Sequence, residues 1–154
     1  MGGEDGLAGV GVLVAERWVD KVMEINRFSA RLLVVRVMIG KSVLNLISVH
    51  APQVGRPMDE KVEFYISLGK VLKTIKDSEY LAVCGDFNGH VGKDVEGFDG
   101  VHGGMGFRSR NVEGEMLLEF AWMLGQCMPL GCLKRMDYTA RNSGRCAEPL
   151  VLVI

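Results

Sequence analysis

Short apolar runs separated by polar breaks fill the first third of the chain and indicate β-strands. These runs span 8–16, 20–26, 31–40 and 41–50. They are rich in β-branched residues, which suit a half-buried pleated surface. The first two runs predict one hairpin and the last two a second, so the sheet is expected to begin as a mostly antiparallel one.

The pattern changes to helical spacing after Pro57, whose fixed φ suits the first turn of a helix. A helix is predicted from there to about Lys76. Its apolar face comprises Val62, Ile66, Leu68, Val71, Leu72 and Ile75. The run 81–84, LAVC, is entirely apolar and predicts a buried strand.

A second helix is predicted over 113–125, with Asn111 as its N-terminal cap. Its apolar face comprises Met116, Leu117, Phe120, Ala121 and Leu124. The glycine-rich stretch 89–106 before it is long for a simple connection, and loops of this kind are frequently functional. Strands followed by alternating helices and strands predict a layered α/β sandwich.

Composition fits one globular domain and excludes several other classes. The chain has 154 residues, of which 48% are hydrophobic and 24% charged. The net charge of −1 gives no global attraction to nucleic acid or anionic membranes, so phosphate binding must be local. Arg36 interrupts the longest apolar run, and the N-terminus lacks a secretory pattern. We therefore expect an intracellular protein, nuclear or cytoplasmic, with no membrane partner.

The four cysteines show no spacing typical of a zinc or redox site. They are Cys84, Cys127, Cys132 and Cys146. Reduced structural thiols are the simpler interpretation.

Polar side chains follow two of the predicted strands. Asp86 and Asn88 come directly after LAVC, in the stretch GDFN, and His50 and Gln53 follow the fourth strand, in HAPQ. A Gly-Asp turn with Asn88 in a left-handed conformation would explain the first stretch alone. The alternative is phosphodiester hydrolysis, in which a carboxylate orients the attacking water and an amide donates to a phosphate oxygen.

The order of motifs resembles the endonuclease/exonuclease/phosphatase superfamily with its DNase I-like fold. The similarity is greatest to the craniofacial development protein 2 and LINE-type retrotransposon endonuclease branch. The motifs occur in order over 8–126 as GVG (9–11), HAPQ (50–53), GDFN (85–88) and NVEGEMLLEFA (111–121). The fold implied is a four-layer α/β sandwich with a mixed sheet.

The resemblance also implies roles for individual residues. Asp86 matches the aspartate that orients or deprotonates the attacking water, and Asn88 matches the asparagine that binds the scissile phosphate. His50 stands where the family usually has a phosphate-contacting tyrosine. Gln53 and Asn111 are the predicted substrate-binding residues. Magnesium or manganese would neutralise the phosphate, and the partner would be the DNA phosphate backbone.

Two family motifs have no match. The metal-binding glutamate is expected upstream of GVG, and the Ser-Asp-His motif is expected after the final strands, yet neither stands in such a context here. The interpretation is therefore the central part of such a domain, over 8–126, truncated at both ends, with a divergent segment over 127–154. The isolated chain is expected to be weakly active or inactive, and unpaired sheet edges favour association.

Two other functions remain open. One is a non-catalytic remnant or isoform with a binding role, suggested by the two missing motifs. The other is a superfamily phosphatase that acts on a phosphomonoester, which GDFN alone does not exclude.

Overall fold

The computed structural model describes residues 9–104 and 106–124, and the backbone of 151–153. In chain order the elements are α1 (Glu16–Val19), β1 (Val22–Ser29), β2 (Leu32–Ile39), β3 (Ser42–His50), α2 (Met58–Leu72), β4 (Tyr80–Asp86), α3 (Val112–Met123) and β5 (Val151–Val153). The protein is a mixed α/β structure, as the sequence predicts. None of the helices in these residues is long and apolar enough to cross a membrane.

One five-stranded sheet forms the centre of the fold, with its strands in sequence order from β1 to β5. β1, β2 and β3 are antiparallel, whereas β3, β4 and β5 run parallel. The turn between β2 and β3 has Gly40 at φ 61°, a conformation that favours glycine. The parallel step from β3 to β4 requires a crossover, which α2 provides. The antiparallel start predicted from the sequence is confirmed.

Both longer helices pack on one face of the sheet and form the main core. Its buried residues include Leu32, Val34, Ile47, Val49, Phe64, Leu68, Val83, Phe87, Leu117 and Leu118. β4 contributes only Val83 to the fully buried set, because alternate residues of a strand point to opposite faces. The prediction of a fully buried strand over 81–84 is therefore right for one face only.

The opposite face of β2 is covered by the segment 9–15, which the sequence predicts as part of a strand. That prediction is wrong, because residues 9–15 belong to no strand and 16–19 form α1. β1, its predicted hairpin partner, is the terminal strand of the sheet, and the segment crosses the sheet face rather than pairing with the outer edge of β1. Val10 and Val12 instead pack over the buried side chains of β2, which are Leu33, Val35 and Val37.

The predicted face of α2 is confirmed in part: Leu68 and Val71 are buried, and Leu72 and Ile75 pack against the core. Val62 and Ile66 are exposed, while Phe64, Leu68 and Val71 are buried together with Lys61. These four residues recur every three or four positions and therefore lie on one stripe of the helix. The neighbouring stripe with Val62 and Ile66 is apolar too, so the sequence pattern alone did not show which of the two stripes is buried. The helix also ends at Leu72, four residues before Lys76.

An ion pair in the core joins α2 to α3. Lys61 Nζ lies 2.7 Å from Glu113 Oε1, and both side chains are buried. Lys61 Nζ also donates to the Val54 carbonyl at 2.8 Å. The hydrogen bond from Lys61 lowers the pKa of the Glu113 carboxyl, although burial opposes this shift. One lysine therefore links both helices to the loop that follows β3.

Removing the lysine alone should destabilise the protein strongly. We expect Lys61→Met to lower the free energy of unfolding by about 3–5 kcal/mol, because Glu113 is left buried without a cation. Urea denaturation checks this. The double variant Lys61→Met/Glu113→Leu should recover most of the loss, since it removes both charges from the core. A double variant as unstable as Lys61→Met would contradict this account.

The same pair should also make stability depend on pH. Because the folded pKa of Glu113 is lowered, its contribution is present above the ordinary value of 4.5 and is lost as the pH falls through the lower folded value. Urea unfolding of wild type and Glu113→Gln over a pH series measures this. The stability difference between them should shrink below pH 4.5 and stay constant above it. A difference independent of pH would show that the carboxylate charge contributes nothing.

Candidate functional site

The two polar strand ends predicted from the sequence lie side by side at one edge of the sheet. In the parallel register of β3 and β4, His50 is paired with Asp86. The backbone N–H of Ala51 donates to the Asp86 carbonyl oxygen at 2.8 Å, which extends the ladder past the last pair. The structure therefore brings together HAPQ and GDFN, which are separated by more than thirty residues in sequence.

His50 and Asp86 share the face of the sheet that lies away from the two long helices. Val49 and Phe87, their neighbours in sequence, are buried in the helix-side core. Residues alternate between faces along a strand, so His50 and Asp86 point the other way. Ser48 confirms this for β3, because its hydroxyl donates to the Gly11 carbonyl on that face.

Asn88 is tied to both strand ends. Its backbone N–H donates to Asp86 Oδ1 at 2.7 Å, and its side-chain Nδ2 donates to the Ala51 carbonyl at 2.8 Å. Its φ of 51° lies in the left-handed region, which asparagine tolerates. The turn is therefore an Asx turn, and it also fixes a carboxylate and an amide next to His50.

Gly85 makes the close approach of the two strands possible. Its φ is 144°, and a Cβ at this position would lie 1.9 Å from the Val49 carbonyl oxygen. Any side chain here would push β4 away from β3, just before Asp86. The glycine of GDFN is therefore required by packing, whatever the chemistry of the site.

Gln53 and Asn111 lie further from the pair. Gln53 is exposed, and its carbonyl accepts from the Arg56 N–H in the turn after β3. Asn111 caps α3: its Oδ1 accepts from the N–H groups of Gly114 and His90, both at 2.8 Å. The predicted cap is confirmed. Asn111 acts on the candidate site by fixing His90, two residues beyond Asn88.

The loop between β4 and α3 is packed against the core. His102 is buried, with Nε2 3.0 Å from the Gly92 carbonyl, and its Nδ1 accepts from the Gly104 N–H. These contacts assign the proton to Nε2. Arg110 lies over the ring of Phe98, 4.8 Å from its centroid. His102 is thus an internal support of the loop and does not reach the sheet edge.

Arg31 belongs to the same edge and was missed by the sequence analysis. Its carbonyl accepts from the His50 N–H, which continues the β2–β3 register. Arg31, His50 and Asp86 therefore form one row across the ends of three neighbouring strands. The signal that could have found Arg31 is the two-residue turn at Gly40 and Lys41, because its position sets the pairing of every residue in the hairpin.

The described residues provide only part of a metal centre. No group of three or more potential ligands from histidine, cysteine, aspartate or glutamate occurs within them. At the sheet edge the carboxylate is that of Asp86, and its Oδ1 already accepts from Asn88. Magnesium is commonly held by one or two carboxylates together with substrate phosphates. Asp86 fits such a shared ion, but the described residues do not hold one by themselves.

Cys84, two residues before Asp86, does not suit nucleophilic catalysis. Burial raises the pKa of its thiol, and its Sγ lies 3.6 Å from the Ile47 carbonyl. A protonated, half-buried thiol is a structural residue.

No protein-family model matches the sequence, and a search of curated proteins finds no significant match.

Two glycine substitutions with opposite expected effects test the close packing at Gly85. Gly85→Ala should lower the free energy of unfolding by more than about 2 kcal/mol, because its Cβ would collide with the β3 backbone. Gly69→Ala in α2 should raise it by about 0.5–1 kcal/mol, since alanine is the better helix former. A Cβ at Gly69 meets only Phe120 Cε2, at 3.8 Å. Urea unfolding measures both, and equal effects of the two substitutions would contradict the register of β3 and β4.

Proposed function

We propose that this sheet edge is the phosphate-binding and water-activating part of a metal-dependent phosphodiesterase domain. The proposed relatives are the magnesium-dependent DNA endonucleases of retrotransposon origin that the motif order resembles. The observation that carries the proposal is the parallel pairing of His50 with Asp86. Two motifs that resemble the same family are thereby adjacent in space, as a shared site requires.

Each residue has a role that its contacts support. Asp86 Oδ1 is held by the Asn88 N–H, so the carboxylate is oriented and Oδ2 can accept a proton from the attacking water. The Asn88 amide and the His50 imidazole donate to phosphate oxygens, where negative charge develops in the transition state. Gln53, exposed in the next turn, contacts the substrate further along its backbone. Asn111 maintains the position of the loop after Asn88.

A magnesium or manganese ion would neutralise charge on the phosphate and the leaving oxygen. Asp86 is the described carboxylate that would bind it, shared with the phosphate. Because the described residues hold no group of three or more potential metal ligands, we propose that the isolated chain hydrolyses DNA only weakly.

The proposed architecture is that of a DNase I-like sandwich with a further layer over the His50 face. The half-burial of Leu44, Leu46 and Ala82 on this face favours such a layer, because an apolar sheet face gains stability when it is covered. The segment 9–15 provides part of that cover through Val10 and Val12.

A second candidate is a non-catalytic module that binds a phosphate ester. The lack of a complete metal site within the described residues favours it, since binding needs donors while hydrolysis also needs the cation. The two candidates share the same site and differ in turnover.

A plasmid-nicking assay with magnesium tests the proposal. We expect slow nicking by wild type that falls at least tenfold in Asp86→Asn, because the amide cannot accept the proton of water and is a weaker, uncharged ligand for the ion. The matched control is Asp77→Asn, which makes the same change in the turn before β4 and should cut as wild type does. EDTA should abolish nicking.

Other results would redirect the assignment. Release of inorganic phosphate from a phosphomonoester without strand cleavage would support the phosphatase alternative. DNA binding without nicking would support the non-catalytic module. Nicking that persists in Asp86→Asn would overturn the proposed role of Asp86.

A further inference from the structure

Arg31 places a cation at the strand ends next to the candidate catalytic residues. It stands opposite His50, which in turn is paired with Asp86. Neighbouring strands are about 4.8 Å apart, so the Cα atoms of Arg31 and Asp86 are separated by about 10 Å. An arginine side chain and a substrate phosphate together can span that distance.

The hydrogen bonds of Arg31 orient its guanidinium group toward Asn88. Arg31 Nη1 lies 3.1 Å from the His50 carbonyl oxygen and 3.4 Å from that of Ala51. Asn88 Nδ2 donates to the same Ala51 oxygen at 2.8 Å. The guanidinium and the amide that is proposed to bind phosphate are therefore held around one oxygen atom.

Nε and Nη2 of Arg31 remain as donors, and the side chain also lines a groove with the carboxylates Glu60 and Glu63 of α2. Nη1 carries two of the five guanidinium N–H groups, and Nε and Nη2 form no hydrogen bond or ion pair within the described part of the chain. By contrast, three basic side chains on the surrounding elements are paired with glutamates. These pairs are Arg56 with Glu60, Lys61 with Glu113, and Arg110 with Glu115.

We infer that Arg31 binds the substrate phosphate beside Asn88, through Nε and Nη2. The planar fork of arginine matches two phosphate oxygens, which a lysine does not. Its positive charge would also offset the repulsion between the phosphate and Asp86. This inference rests on the proposed function, and it adds a phosphate-binding residue that stands outside the four motifs.

The first test measures DNA affinity against salt concentration in the presence of EDTA, where no cleavage occurs. Fluorescence anisotropy of a labelled DNA duplex gives the slope of log affinity against log salt. Arg31→Gln should reduce the magnitude of the slope by about 0.9 and weaken binding about tenfold at low salt, because one phosphate contact is lost. Arg31→Lys should keep the slope, since it retains the charge.

The control variant is Lys41→Gln. Lys41 is exposed in the turn at the other end of β2 and β3, so the substitution removes one positive charge far from the candidate site. Its slope should equal that of wild type. Circular dichroism first shows that each variant is folded. If Arg31 had only a structural role, the slope for Arg31→Gln would equal that of wild type, and this result overturns the inference.

The second test uses the unaltered protein and does not depend on the folding of a variant. Phenylglyoxal modifies accessible arginines, and peptide mass spectrometry reports the modified fraction at each one. A saturating DNA duplex should reduce the modification of Arg31 at least fivefold and leave that of Arg17, on exposed α1, unchanged. Equal modification of Arg31 with and without the duplex overturns the inference.

The two proposals fail separately. Arg31-dependent binding without any nicking supports the inference and overturns only the catalytic part of the proposed function. Nicking that depends on Asp86, with a wild-type salt slope in Arg31→Gln, supports the proposed function and overturns the inference. A wild-type protein with no affinity for the duplex overturns the role of Arg31.

Discussion

The parallel pairing of β3 with β4 is the constraint on which the rest of this structure depends. Parallel strands cannot be joined by a tight turn, so the chain must cross over the sheet between them. α2 makes that crossing and buries Phe64, Leu68 and Val71 against the sheet. The same pairing directs the ends of both strands to one edge. A requirement of the fold thereby places His50 beside Asp86, and the antiparallel partner β2 adds Arg31 to the row.

The core and the candidate site are held by shared contacts. Lys61 pairs with Glu113 inside the core and also binds the carbonyl of Val54, in the loop that follows His50. Asn111, one residue before α3, both caps that helix and fixes the N–H of His90. No buried side-chain nitrogen or oxygen in the described residues lacks a hydrogen-bond partner. Lys61, Glu113 and Asn111 therefore fix the loops around the sheet edge.

In the proposed function, this edge recognises a phosphate ester. Donors come from Arg31, Asn88 and His50, while Asp86 supplies the carboxylate. Asp86 would satisfy only part of the requirement for a metal ion, which a phosphate oxygen would complete. Hydrolysis would then require the substrate phosphate to complete the metal site, unlike in an enzyme whose own side chains hold the ion. In this proposal, binding a phosphate ester therefore requires fewer groups from this chain than hydrolysing it does.

The sequence by itself determined the elements whose signals are local. The hairpin of β2 and β3, the start of α2 after Pro57, the strand before GDFN and the cap at Asn111 all follow from spacing or turn chemistry within a few residues. Tertiary structure decided the rest. It placed 9–15 on a sheet face, where Val10 and Val12 cover apolar side chains of β2, and it determined which apolar stripe of α2 is buried. It also brought Arg31 to the site, because strand pairing joins residues that no local pattern connects.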